Sequence, residues 1–177
     1  MRPSYNVAPT QLVPAVFTPN DDATLALFQW GLVPAWAKDP AIGTRMINAR
    51  VETVEEKSSF RSAVVKRRCL VPADGWFEWQ HGAAGRKVPH YLSARDGALL
   101  TFAGLYEKWT APDGYVLWSV TVITTQAQEH LMDIHDRMPL LVAPALRAAW
   151  LAPGQATVAQ VLAAAPKAAR SEEHTSE

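Results

Sequence analysis

Cysteine is nearly absent from this sequence, because Cys69 is the only one among 177 residues. An internal disulfide and a multi-cysteine metal site are therefore excluded. No pair of histidines at helical spacing is present, so we expect neither a metal nor another cofactor. No apolar run is long enough to cross a membrane, and no charged-then-apolar leader opens the chain. We therefore expect a cytoplasmic protein.

Charge is balanced overall but uneven along the chain. The formal net charge is zero, which argues against a general polyanion binder. Residues 170–177 read RSEEHTSE and resemble a translated sequencing adaptor; without their one Arg and three Glu the net charge becomes +2. We predict a single domain over residues 1–169 and a tail outside the fold. Residues 45–68 carry seven Lys/Arg against three Glu, so they either hold a short phosphate backbone or form a solvated helix face.

Strands dominate the predicted secondary structure, since thirteen Pro and nine Gly punctuate many short segments. Strands are predicted at 12–17, 25–33, 88–94, 99–109 and 115–124, and 69–71 and 76–80 are predicted to form another short pair. Helices are predicted at 55–67, 126–132, 144–151 and 155–164. The class is α+β, and we expect a strongly curved, barrel-like, mostly antiparallel sheet with peripheral helices.

Two titratable side chains stand out from an ordinary core pattern. Strand alternation turns Glu78 to the same face as Trp76. Burial beside an indole would raise the pKa of the Glu78 carboxyl, which suits a general acid or base. The alternative is that Glu78 lies on the solvent face of an edge strand. His135 stands among Asp133, Asp136 and Arg137, which suits a proton carrier near neutral pH or a structural turn histidine.

Polar and aromatic residues suggest how a nucleic acid could be held. Asn48 and Arg50 point the same way in an extended chain and suit a phosphate or a sugar oxygen, or else form a turn cap with a surface ion pair. Trp36 and Trp79 are candidates for stacking on bases, although most of the seven tryptophans must belong to the core. Cys69 lies in an apolar run and is expected to be buried.

Six segments, taken in order and spacing, resemble the SRAP (SOS response-associated peptidase) family over roughly residues 4–151. They read YNVAPTQ, WGLVPAWA, INARVET, RRCLVPADGWFEW, FAGLYEKW and IHDRMPLLV. The resemblance implies the SRAP fold, autopeptidase activity and a role in the DNA damage response. It also implies a monomer that acts on abasic sites in single-stranded DNA and associates with the nucleoid when bound.

In the family, a cysteine directly after the initiator methionine supplies an amine and a thiol that capture the ring-opened sugar as a thiazolidine. Carried over by motif, Glu78 and His135 would move protons, and Asn48 would orient the amine and sugar. The DNA contacts would come from phosphate-binding Arg50 and Arg137, from base-packing Trp36 and Trp79, and from the cleft residues Asn6 and Pro9.

This sequence departs from the family pattern at both ends. Met1 is followed by Arg2 and Pro3 rather than by Cys-Gly-Arg, and the family's closing segment is replaced by the adaptor-like tail. We interpret the chain as a fragment that cannot cross-link by itself. One alternative is a paralogue that binds single-stranded or junction DNA without covalent capture. Another is a hydrolase that uses Glu78 and His135 on a different substrate.

Overall fold

Ten β-strands and three short α-helices form the part of the chain that the computed structural model describes, residues 4–20, 22–82, 85–152 and 154–170. The strands are β1 (Leu12–Phe17), β2 (Thr24–Trp30), β3 (Asn48–Arg50), β4 (Arg68–Ala73), β5 (Gly75–His81), β6 (Lys87–Ser93), β7 (Leu100–Thr110), β8 (Val116–Gln126), β9 (Arg137–Pro139) and β10 (Ala169–Arg170). The helices are α1 (Arg61–Lys66), α2 (Arg147–Leu151) and α3 (Val158–Ala163). Short 3-10 segments lie at Pro40–Arg45, Glu129–Leu131 and Pro144–Leu146.

Strands β2, β1, β4, β7 and β8 close into a barrel, because β8 pairs back onto β2. The first four neighbouring pairs are antiparallel, and the closing pair is parallel, with Gln29 opposite Ser119 and Trp30 opposite Val120. Directions cannot alternate all the way around a ring of five strands, so one parallel pair is required. The predicted barrel-like, mostly antiparallel sheet is confirmed.

Side chains fill the barrel, so its interior is a packed core. Alternate residues of β1 point inward, and Phe17 packs edge-on against Phe28 and Tyr106 with ring centroids 5.1 Å apart in both contacts. A second core lies on the outer face of β4, β7 and β8, under the helices. Trp150 is fully buried there, and its indole N–H donates to the Cys69 carbonyl at 2.9 Å. The helices are therefore peripheral, as predicted.

A second sheet, in the order β10-β6-β5, stands beside the barrel. The predicted pairing of 69–71 with 76–80 is wrong: β4 belongs to the barrel, and β5 pairs with β6. The chain passes between the sheets at Gly75, where a β-carbon would lie 2.3 Å from the Leu92 carbonyl oxygen. Only glycine permits this close approach of two backbones.

Helices are shorter than the sequence predicts. Over 55–67 only α1 is an α-helix, and within it Val65 is 57% exposed, whereas Val64 and the preceding Phe60 are buried. No helix spans 126–132, because β8 continues to Gln126 and only the 3-10 turn Glu129–Leu131 follows. None of the described helices is long and apolar enough to cross a membrane.

The end of the described chain lies against β6. Strand β10 places Ala169 opposite Ser93 and Arg170 opposite Leu92, so pairing reaches one residue past the predicted domain boundary. The remainder of the predicted tail, 171–177, lies outside the described residues.

Candidate active site

Glu78 lies on the sheltered face of β5. Its side chain is 19% exposed, whereas Phe77 and Trp79 on the opposite face are 40% and 49% exposed. The predicted alternation is therefore confirmed, and the alternative of a solvent-facing Glu78 is wrong. Strand β5 belongs to the second sheet, and this carboxylate faces His135 in the segment that precedes β9.

His135 approaches Glu78 from that segment. Its Nδ1 lies 4.0 Å from the Glu78 Oε2 and 3.4 Å from the Asp136 Oδ1. The local chain is fixed because the His135 N–H donates to the Leu131 carbonyl at 3.1 Å and Ile134 is buried. Two residues that are far apart in the sequence thus become neighbours, as the acid–base hypothesis requires.

Both protonation states of His135 have a backbone partner. In the neutral tautomer that carries its proton on Nε2, Nδ1 accepts a hydrogen bond from the Arg137 N–H at 3.0 Å. In the protonated ring, an Nδ1–H faces the Arg137 carbonyl at 3.1 Å. A side chain that is supported in both states is suited to carrying a proton.

The surroundings of Glu78 raise the pKa of its carboxyl above the ordinary value. Burial is the largest cause, and the nearby negative charge of Asp136 acts in the same direction. His135 and then the Trp76 indole lower the pKa, but not enough to cancel the burial. The Trp76 N–H is buried and makes no hydrogen bond of ordinary geometry within the described ranges. A carboxyl that holds its proton closer to neutral pH is suited to general acid–base work.

Strand β3 brings an amide and a guanidinium to the end of the barrel. Asn48 and Arg50 are both exposed while Ala49 between them is buried, so the two side chains share a face, as predicted. The strand pairs in parallel with β8, with Asn48 opposite Val122 and Arg50 opposite Thr124. The Trp30 indole N–H donates to the Ile47 carbonyl at 2.9 Å and fixes the start of the strand.

Arg137 is held by a carboxylate in this structure. Its Nη1 and Nη2 donate to the Glu52 Oε1 and Oε2 at 2.7 and 3.0 Å, and Nη2 also donates to the Thr124 carbonyl at 2.7 Å. Thr124 is opposite both Arg50 on one side and Pro139 on the other. The two predicted phosphate-binding arginines therefore lie on strands that flank the same residue of β8.

The remaining predicted residues are exposed. Trp36 is 59% exposed on a turn closed by the Ala37 N–H and the Pro34 carbonyl. Asn6 and Pro9 lie in the exposed loop before β1. Within the described ranges no hydrogen bond, ion pair or ring contact joins these three residues to Glu78 or His135. Trp79 lies on the face of β5 opposite Glu78.

Sequence reasoning assigned no role to Glu52, Thr124 or Gln80, which the structure places around the site. Glu52 binds Arg137 from 85 residues away, so no local spacing reveals the pair. Gln80 follows Glu78 on the same face of β5, and strand alternation applied one step further would have found it. The described residues contain no group of three His, Cys, Asp or Glu side chains that could hold a metal ion.

A family model described as SOS response associated peptidase (SRAP) matches residues 1–176. The chain belongs to the SRAP family. It is 46% identical over 152 residues to a Bacillus subtilis relative, "Abasic site processing protein YoaM", covering 86% of this chain and 67% of that protein. It is also 32% identical over 177 residues to mouse "Abasic site processing protein HMCES", covering 79% of this chain and 50% of that protein.

Solved structures share the fold of this SRAP protein. A crystal structure of a Bacteroides thetaiotaomicron protein matches with a TM-score of 0.76 and 31% identity, covering 87% of this chain and 68% of that one. A Bordetella bronchiseptica structure matches with a TM-score of 0.76 and 25% identity, covering 96% of this chain and 90% of that one. The α+β barrel architecture therefore recurs in other bacterial proteins.

Proposed function

We propose that this SRAP protein processes abasic sites in single-stranded DNA. The observation that carries the proposal is the Glu78–His135 pair, 4.0 Å apart, in a chain whose relatives are named abasic site processing proteins. The reaction class is attack of an amine on the aldehyde of the ring-opened sugar, which needs proton transfers in both directions. A carboxyl with a raised pKa beside an imidazole supplies them.

The chemistry begins when His135 moves a proton during opening of the sugar ring, which exposes the C1′ aldehyde. The amine nitrogen bonds to C1′ to give a carbinolamine. Glu78 then donates a proton to the departing hydroxyl, water leaves, and the nitrogen returns its proton to the Glu78 carboxylate to give the imine. Asn48, on the exposed face of β3, orients the amine and the sugar through its amide.

The covalent product is a thiazolidine, which forms when a thiol sulfur adds to the imine carbon and the thiol proton passes to the imine nitrogen. This ring closure needs an amine and a thiol on one residue, as an N-terminal cysteine provides. Cys69 cannot serve, because it is fully buried and burial raises the pKa of its thiol far above neutral pH. Position 2 of the printed sequence is Arg2. Cross-linking therefore belongs to a form of the protein that carries an N-terminal cysteine.

Removal of the leading methionine would expose that cysteine. We propose that the autopeptidase activity of this SRAP protein removes that methionine. The same acid–base pair provides the proton transfers that amide hydrolysis needs. We place the activity in the DNA damage (SOS) response, in a monomeric cytoplasmic protein that associates with the nucleoid when it is bound to DNA.

The DNA strand is held by arginines and exposed aromatic side chains. Arg50 lies opposite Thr124, and the Arg137 guanidinium donates to the Thr124 carbonyl; both arginines contact phosphates, while Trp36 and Trp79 pack on bases. We assign Asn6 and Pro9, in the exposed loop before β1, as further DNA contacts. Only these two arginines are assigned to phosphates, so the protein binds DNA at the lesion and not along the length of the strand. This agrees with a formal net charge of zero.

A denaturing gel tests the proposal. Single-stranded DNA carrying one abasic site is mixed with the chain as printed and with a version that begins Met-Cys-Gly-Arg. In the cysteine-bearing version, Glu78→Gln is compared with Glu56→Gln, which makes the same charge change at an exposed position. We expect a heat-stable shifted band only when the cysteine is present, slowed by Glu78→Gln and unaffected by Glu56→Gln.

Absence of a band with every version would overturn the cross-linking proposal. If the chain as printed still bound single-stranded DNA in that case, the exposed tryptophans and residues 45–68 would support a non-covalent binder instead. Turnover of another substrate without DNA would support a hydrolase.

A further inference from the structure

The Gln80 side chain bridges the two elements that carry the acid–base pair. Its Nε2 donates to the Asp133 carbonyl at 2.9 Å, and its Oε1 lies 3.0 Å from the His90 Nε2. Gln80 follows Glu78 by two residues on the same face of β5, and Asp133 precedes His135 by two residues. The amide therefore reaches from beside one member of the pair to beside the other.

Both partners fix the orientation of this amide. The Asp133 carbonyl only accepts, so it requires the Gln80 NH₂ group; the amide oxygen then accepts from an Nε2–H of His90. His90 lies directly opposite Glu78 in the pairing of β5 with β6. Rotation of the amide would turn its oxygen toward the Asp133 carbonyl and break that hydrogen bond, so the bridge has one favoured arrangement.

The bridge links β5 directly to the segment before His135. That segment is also tied to the chain just before β10 of the second sheet, by hydrogen bonds of Gln128 and His130 with residues 166–168. Glu78 belongs to the second sheet, whereas the segment before His135 follows barrel strand β8. Within the described ranges, the Gln80–Asp133 bond is the only hydrogen bond that joins β5 to residues 127–136. Without it, the spacing of the pair would depend on packing, on the attraction between Glu78 and His135, and on the more distant hydrogen bonds of Gln128 and His130.

We infer that Gln80 is a positioning residue that sets the separation of Glu78 and His135. The inference rests on the proposed function, because it assigns Gln80 to the same site. Proton transfer requires donor and acceptor heavy atoms about 2.6–3.2 Å apart, directly or through one water. Glu78 and His135 lie 4.0 Å apart, so the pair can transfer protons only over a narrow range of separations. A displacement of about 1 Å at such a site slows a reaction by about 100-fold.

Carboxyl-carbon NMR titration of Glu78 tests the inference without any DNA. Gln80→Met keeps the length of the side chain but removes both hydrogen bonds, and Gln29→Met in β2 is the matched control. His135→Gln is then added to each background. Since His135 lowers the pKa of Glu78, its removal should raise that pKa, and the rise should be clearly smaller in Gln80→Met than in Gln29→Met.

An equal rise in both backgrounds would overturn the inference, since His135 would then approach Glu78 equally well without the bridge. If Gln80→Met fails to fold, Gln80→Asn takes its place, because its amide is one methylene too short to reach both partners. In the cysteine-bearing version, Gln80→Met should also slow cross-linking by up to about 100-fold relative to Gln29→Met. If no version acts on abasic DNA, the proposed function fails, while the titration still decides whether Gln80 sets the spacing.

Discussion

Glu52 and Arg137 form a two-point ion pair in which both carboxylate oxygens accept hydrogen bonds from the guanidinium, at 2.7 and 3.0 Å. The hydrogen bond from Arg137 is the largest cause that lowers the pKa of the Glu52 carboxyl below its ordinary value. The pair joins the strand segment that carries Asn48 to the segment that carries His135. Under the proposed function, the Arg137 guanidinium binds a DNA phosphate. The Glu52 carboxylate and that phosphate therefore compete for Arg137.

Glu52→Gln should tighten binding of single-stranded DNA. The substitution removes a carboxylate from beside Arg137, while the Thr124 carbonyl continues to hold the guanidinium in place. Binding should also become more salt-dependent, because one more cation is available to a phosphate. Fluorescence anisotropy over a salt series measures both effects, with Glu56→Gln as the control for net charge. Equal affinities for the two variants would contradict the competition.

Glu78→Gln should stabilise the fold at pH 7. A carboxyl whose pKa is raised by folding costs stability once it ionises, so its contribution falls as the pH rises from its ordinary value of 4.5 toward the raised value. Each unit of difference between folded and unfolded pKa corresponds to about 1.4 kcal/mol. The free energy of unfolding of Glu78→Gln should exceed that of the parent at pH 7, and the two should converge below pH 4.5.

Urea unfolding of both proteins across that pH range checks the sign, with Glu56→Gln as the exposed control. A gap that widened on acidification would mean that folding lowers the pKa of Glu78, contrary to the burial of its side chain.

Local pattern was enough to predict part of this architecture. Strand β1 has the predicted bounds because Val13, Ala15 and Phe17 alternate with more exposed residues. The same alternation placed Glu78 on the sheltered face of β5. What local pattern predicts well is therefore the direction of a side chain within one strand.

Features that depend on distant parts of the chain were not predictable in this way. Closure of the barrel by β2 and β8 joins residues such as Gln29 and Ser119, and no periodicity encodes that register. The error at 69–71 arose because two short apolar strands separated by a turn resemble a hairpin, whereas the close approach at Gly75 sends them into different sheets. The Gln80–Asp133 bridge spans 53 residues and is equally invisible to local spacing.

Trp79→Ala should weaken binding of single-stranded DNA with little effect on stability. The indole is 49% exposed and lies on the outer face of β5, so its removal leaves no buried cavity. Stacking of one base on an aromatic side chain contributes about 1–3 kcal/mol, which corresponds to roughly 5- to 150-fold in affinity. Leu27→Ala is the matched control, because Leu27 is 46% exposed on β2. Equal loss of affinity in both variants would argue against stacking on Trp79.

Gly104→Ala should destabilise the barrel, and Cys69→Ala should partly reverse the effect. A β-carbon at Gly104 would lie 2.8 Å from the Cys69 Sγ, 3.2 Å from the Val71 Cγ2 and 3.3 Å from the Thr121 carbonyl oxygen. Overpacking of a well-packed core costs about 1–3 kcal/mol. Since the Cys69 sulfur is the nearest atom, its removal relieves the worst contact, and the two substitutions should be non-additive.

Urea unfolding of the two single variants and the double variant measures that coupling. We expect the double variant to be more stable than the sum of the two single losses predicts. Strict additivity would show that the barrel wall moves to accommodate a methyl group at Gly104, so that strands β4 and β7 are less rigidly packed than their six-residue antiparallel register implies.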